Sequence, residues 1–131
     1  MTKIVIIEDN ASNMKLATFL LGAAGHEVLQ ASDAESGLTL ISAELPGLVL
    51  MDIQLPGMDG LAAIRRLKAD PALALIKVIA LTANAMKNDK EAMLQAGFDG
   101  YLPKPFHHKE FLGMVDSMLG KSVIAIATKY S

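Results

Sequence analysis

Short aliphatic runs alternate with stretches of helical spacing from residue 4 to about residue 120. Ile4–Ile7, Val28–Ala31, Leu48–Met51, Val78–Leu81 and the pair Tyr101-Leu102 read as strands. Ile4–Ile7 and Leu48–Met51 are apolar at every position, the pattern of parallel strands covered on both faces. Val28-Leu29-Gln30-Ala31 is more polar and suits a sheet edge. Between the first two strands, Leu16, Phe19, Leu20 and Ala23 share one helical stripe, with Gly25 as a left-handed stop. Ser32 with Glu35 matches a capping box for a second helix that carries Leu38 and Ile41 inward. Asp59-Gly60 opens a third, with Leu61, Ile64 and Leu67. It ends before Pro71, whose ring disfavours the helical conformation at Asp70. A fourth helix is expected from about Lys87 to Ala96, stopping at Gly97. A fifth puts Phe111, Leu112, Val115 and Leu119 on one face and stops at Gly120. Five strands, each followed by a helix, predict an α/β fold: a three-layer, doubly wound (βα)5 sandwich on a parallel five-stranded sheet.

The acids give this fold a chemical focus. In an open parallel sheet, ligands bind beyond the carboxyl ends of the strands, where the strand order reverses. A flavodoxin-like order of 2-1-3-4-5 sets the first and third strands side by side. Glu8 and Asp9, which end the first strand, then meet Asp52, which ends the third. Thr82 ends the fourth strand, and Lys104 lies just past the fifth. Two like charges about 4 Å apart cost roughly 4 kcal/mol at an effective dielectric near 20. Such a cluster either protonates one acid or takes in a hard cation. An all-oxygen site favours Mg²⁺ or Mn²⁺ over zinc, which prefers nitrogen and sulfur. Any one acid at a strand end is as well explained by solvent. Three acids with a hydroxyl and an ammonium at matching ends point to phosphoryl capture, in which a carboxylate attacks while the cation, Lys104 and Thr82 stabilise the phosphoryl oxygens.

Composition narrows the remaining classes. The chain has 131 residues, 52% hydrophobic and 20% charged, which suits one domain and excludes a disordered chain. A formal net charge of −2 argues against nucleic acid as a partner. With no Cys there is no disulfide framework and no thiolate chemistry, as in a reducing compartment. No apolar run is long enough to span a membrane, and a cytoplasmic location is expected. Residues 1–120 are read as the domain and 121–131 as a poorly ordered tail, in which Ser122–Thr128 is apolar and β-prone. His26, His107 and His108 show no metal spacing and are read as surface or interface residues. Arg65, Arg66 and Lys68 are read as a solvated face, and the eight Met residues as core filling, with Met86 the exposed exception.

Glu8-Asp9-Asn10, the run Leu50-Met51-Asp52-Ile53-Gln54-Leu55-Pro56-Gly57-Met58-Asp59-Gly60, Leu81-Thr82-Ala83 and Lys104-Pro105 resemble the receiver domain of bacterial two-component response regulators. The resemblance covers about residues 2–120 in order and spacing. The wording is nearest to single-domain regulators of cell division, and near to the receivers of hybrid histidine kinases. It implies that Asp52 is the phosphoacceptor, supplied by a phosphohistidine on a sensor histidine kinase or a histidine phosphotransferase. It makes Glu8, Asp9, Asp52 and the backbone carbonyl of Gln54 ligands of Mg²⁺. Thr82 and Lys104 are implied to contact the phosphoryl group, and Tyr101 to turn inward on activation. Lys104-Pro105 is similar to the family's cis peptide, and Gln54 and Asn84 to the residues that tune self-dephosphorylation. The first acid is Glu where Asp is commoner, which keeps the charge. The implied output is a protein target on the face of the fourth helix, fifth strand and fifth helix. Kinase docking is implied around Asn13–Ala17 and the Lys104–His107 loop.

Three other readings compete. A phosphatase of the haloacid dehalogenase type wants a second Asp two residues after the first, where Gln54 stands. A nucleotide or flavin binder wants glycines and free amides after the first strand, where Glu8-Asp9-Asn10 stands. A receiver that has lost phosphorylation and serves as an adaptor does not need the full set of acids with Thr82 and Lys104.

Overall fold

The computed structural model describes residues 2–83 and 87–120. In chain order it contains β1 (Lys3–Ile7), α1 (Ala11–Ala23), β2 (Glu27–Ala31), α2 (Ala34–Glu44), β3 (Leu48–Asp52) and α3 (Gly60–Ala69). Then follow β4 (Lys77–Thr82), α4 (Lys87–Ala96), β5 (Gly100–Pro103) and α5 (His108–Leu119). All strand pairs are parallel, as the alternation predicts, and the order is the expected flavodoxin-like β2-β1-β3-β4-β5. β2, the polar strand, lies at the edge. The readings of Asn84, Met86 and the tail from residue 121 fall outside the described residues.

Strand alternation divides the core into two layers. Val5, Ile7, Val49, Met51, Val78 and Ala80 pack against α2, α3 and α4 through residues such as Ile41, Ile64 and Met93. Ile4, Ile6, Leu48, Leu50, Ile79 and Leu81 face α1 and α5, where Leu21, Phe111 and Val115 meet them. Both faces of β1 and β3 are therefore covered, which is why those strands read as unbroken apolar runs. Each fully buried aliphatic side chain contributes roughly 1.5–3 kcal/mol, so the central strands fix the sheet's register and with it the ends that carry the acids.

Helix ends follow local chemistry. Asp59 caps α3 by accepting the Ala62 N–H at 2.9 Å, and α3 ends at Asp70, whose extended backbone suits the residue before Pro71. Gly25, Gly57, Gly97 and Gly120 take positive φ, as turn and stop positions require. The second helix starts one residue later than the Ser32/Glu35 pattern suggests. Asp33 is the cap, accepting the Ser36 N–H at 2.8 Å and the Ser36 hydroxyl at 3.2 Å. Both bonds hold its carboxyl below the usual range. A carboxylate is the better acceptor at the positive end of a helix.

Three side-chain readings need correction. Phe19 is 69% exposed, because α1 buries Met14, Ala17, Leu20 and Leu21 instead of the stripe through Phe19 and Ala23. His26 is buried, not a surface residue, and its backbone N–H bonds the Leu21 carbonyl of α1 at 3.0 Å. Lys68 is not part of a solvated face. Its ammonium donates to the carbonyls of Ala74 and Ile76 at 3.0 and 3.3 Å and lies 3.8 Å from Asp99. Arg65 and Arg66 are exposed as expected.

Candidate functional site

Parallel register brings three strand ends to one place. Ile7 pairs with Met51 and Asp52 with Leu81, so Glu8 and Asp9 emerge beside Asp52, one strand from Thr82. Carboxylate oxygens of Glu8, Asp9 and Asp52 all lie within 4.8 Å of one another. Glu8 and Asp52 are buried, at 2% and 3% exposure, whereas Asp9 opens to solvent.

Backbone donors aim the two buried acids. The Asn10 N–H donates to Glu8 Oε2 at 3.1 Å, and the Gln54 N–H to Asp52 Oδ1 at 2.8 Å. The remaining oxygens share one cation: Lys104 Nζ is 2.6 Å from Glu8 Oε1 and 2.7 Å from Asp52 Oδ2. The Lys104 N–H bonds the Thr82 carbonyl at 2.8 Å, which ties the Lys104 loop to the end of β4. The Lys104-Pro105 peptide is cis, as the resemblance implies.

Charge is unbalanced here. Burial pushes the Glu8 carboxyl above the ordinary carboxylate range; Lys104 and the Asn10 N–H pull it back, and Asp52 raises it further. Burial lowers the Lys104 ammonium, but Asp52 and Glu8 outweigh it and hold its pKa above the usual lysine value. Three carboxylates face one ammonium. The donor set, all carboxylate oxygen with one acid open to water, fits a hard divalent cation that keeps part of its water shell.

The site residues read from the sequence are therefore largely together. Glu8, Asp9, Asp52 and Lys104 share the crevice, and Thr82 is fully buried at its wall. Tyr101 lies earlier on β5, opposite Ala80 in register and half-buried, with the Lys90 ammonium 5.5 Å from its ring centroid.

Two contributors are not evident from motif reading alone. Asn10 caps α1 by accepting the Asn13 N–H at 2.9 Å, while its own N–H orients Glu8. Gly60 is the other. A Cβ there would lie 2.6 Å from Ile53 Cα and 2.8 Å from the Asp52 carbonyl oxygen, backbone atoms that cannot step aside. Its lack of a side chain lets α3 start against the Asp52 loop, where the Gly60 N–H bonds the Ile53 carbonyl at 3.2 Å. Gly60→Ala is expected to lower stability by about 1–3 kcal/mol, as overpacking does. A urea-unfolding midpoint equal to that of the parent protein would remove this role from Gly60.

Comparison with known proteins places these features in context. Residues 4–116 match the family described as Response regulator receiver domain. The Polar-differentiation response regulator DivK of Brucella ovis is 43% identical over 121 residues, spanning 92% of this chain and 98% of its own. The receiver domain of a sensor histidine kinase from Pseudomonas aeruginosa PAO1 superposes with a TM-score of 0.84. It is 32% identical over 92% of this chain and 98% of its own, and its crystal structure has a magnesium ion coordinated in the active site cleft. The chemotaxis protein CheY4 of Vibrio cholerae shares the fold, with a TM-score of 0.85 at 22% identity over 90% of this chain and 98% of its own.

Proposed function

Since the chain belongs to the response regulator receiver domain family, we propose that it is a phosphorylation-driven switch whose phosphoacceptor is Asp52. The phosphoryl group comes from a phosphohistidine on a sensor histidine kinase or histidine phosphotransferase. One Asp52 carboxylate oxygen forms a bond to phosphorus as the P–N bond breaks, and the histidine nitrogen leaves with a proton from solvent. The observation that carries this reading is the shared Lys104 ammonium. It holds both buried acids at hydrogen-bond distance and is already directed at Asp52 Oδ2.

Each neighbouring group then has a task. The Gln54 N–H fixes Asp52 Oδ1, so the carboxylate cannot rotate away from the crevice. Lys104 shifts from carboxylate to phosphoryl oxygen as charge builds there, and Thr82 donates its hydroxyl to another. Glu8, Asp9, Asp52 and the Gln54 carbonyl would hold Mg²⁺, or Mn²⁺ in its place. Bound there, the ion neutralises the acids that would otherwise repel the incoming group. Tyr101 responds by turning inward, and the α4–β5–α5 face presents the change to a protein target. The chain catalyses its own phosphorylation and slow dephosphorylation, and turns over no metabolite. Similarity to the polar-differentiation regulator DivK supports a role for the switch in polar differentiation. The switch acts in the cytoplasm under this reading; no described helix is long and apolar enough to cross a membrane.

The test is phosphotransfer from kinases and phosphotransferases of the source organism carrying radiolabelled phosphohistidine. Label is expected to pass to this chain in Mg²⁺ and to stay on the donor in EDTA. Equal transfer in EDTA would defeat the metal assignment, and no transfer from any donor would defeat the switch itself.

A further inference from the structure

Tyr101 occupies a groove between α4, β5 and α5 of about 560 Å³, whose rim includes Lys90, Lys109, Glu110 and Met114. The ring leans on the core beneath α3 and α4, yet remains half exposed. Over it stands the Lys90 ammonium, 5.5 Å from the ring centroid and within reach of the negative face of the π system. Lys90 itself is exposed.

We propose that Lys90 is a positioning residue that holds Tyr101 in this groove-facing placement and so sets how often the unphosphorylated protein visits its active arrangement. The inference rests on the reading of Tyr101 as the aromatic that turns inward. A group can shift a two-state equilibrium only through a contact made in one state and lost in the other. The ammonium–ring contact is of that kind. It exists while the ring lies in the groove under Lys90, and is lost once the ring turns toward Thr82 at the end of the neighbouring strand. A cation–π contact at an exposed site corresponds to about a two- to fivefold change in population. That change acts on the resting state and leaves the acids untouched, since Lys90 belongs to α4 and not to the crevice. Lys90 thereby tunes basal output through the same equilibrium that phosphorylation biases.

The test observes the ring itself. The full chain has two tyrosines, so Tyr130→Phe with 3-fluorotyrosine labelling leaves Tyr101 as the single ¹⁹F reporter. Spectra are recorded with and without beryllofluoride and Mg²⁺, the beryllofluoride standing in for the phosphoryl group. In Lys90→Met, which keeps length but removes charge, the free-state resonance is expected to move toward the beryllofluoride position by a two- to fivefold population change. Lys90→Arg, which retains a cation, is expected to restore the parental spectrum. A Lys90→Met free-state resonance equal to the parent's, with beryllofluoride still moving it, overturns the role of Lys90 and leaves Tyr101 as the switch. A resonance that beryllofluoride fails to move in every variant overturns the reading of Tyr101, and this inference with it.

Discussion

Asp52→Asn is expected to reduce labelling by acetyl phosphate in Mg²⁺ to background while the protein remains folded. The amide oxygen that replaces Oδ1 can still accept the Gln54 N–H, so the loop after β3 keeps its anchor. Lys104 retains Glu8 at 2.6 Å. What disappears is the nucleophile, because an amide does not attack phosphorus as a carboxylate does. Stability should change little: neutralising one of the clustered acids relieves repulsion, while the amide NH2 that replaces Oδ2 can no longer accept from Lys104, which keeps Glu8 as its partner. Acid-labile, hydroxylamine-sensitive label persisting on the variant would move the acceptor elsewhere. Asp9, the exposed member of the cluster, would be the first alternative.

That such a prediction can be framed at residue level reflects what strand ends reveal. β1 and β3 are legible because both faces of each are buried, leaving unbroken apolar runs that stop abruptly at Glu8 and Asp52. Parallel pairing then brings those ends together without reference to any side chain. Helix faces were less legible. From Met14 to Ala23 the first helix is apolar on more than one side, so spacing alone allows a stripe through Phe19 as well as the observed one through Ala17 and Leu21. The packing of α1 against β1 and β2 decides between them. At the start of α2, Ser32/Glu35 and Asp33/Ser36 are overlapping cap signals one residue apart, and the stronger acceptor prevails. Lys68 was illegible for another reason. Its partners are carbonyls of the loop after α3, and no side-chain pattern records where a loop's carbonyls point. Gly60 shows the same limit: a glycine beside a cap residue looks like a turn, and only the backbone approach explains why no side chain fits.

Lys104→Ala is expected to be costly to the fold and to expose how the crevice is balanced. The ammonium is the shared partner of Glu8 and Asp52, whose side chains are only 1% and 4% exposed. Removing one member of a buried ionic group costs 3–5 kcal/mol, because the remaining charges stay desolvated and unpaired. Glu8, already pushed upward by burial, can take up a proton and relieve part of this. We therefore expect a loss near the low end, about 3 kcal/mol in EDTA, measured by urea unfolding. Mg²⁺ should return most of it. A ligand at a hundred times its dissociation constant stabilises the folded state by about 2.7 kcal/mol, and in the variant the ion no longer competes with the lysine for Glu8 and Asp52. The gain from Mg²⁺ at matched ionic strength should accordingly be larger in Lys104→Ala than in the parent protein. Phosphorylation should survive in part, since Asp52 and the other acids remain, but partner affinity should no longer rise on phosphorylation, because no ammonium is left to register the phosphoryl oxygen. A variant that Mg²⁺ stabilises no more than the parent would mean that lysine and ion do not share a site. A phosphorylated variant that binds its target as tightly as the phosphorylated parent would remove Lys104 from the signalling path and leave it a purely structural counter-ion.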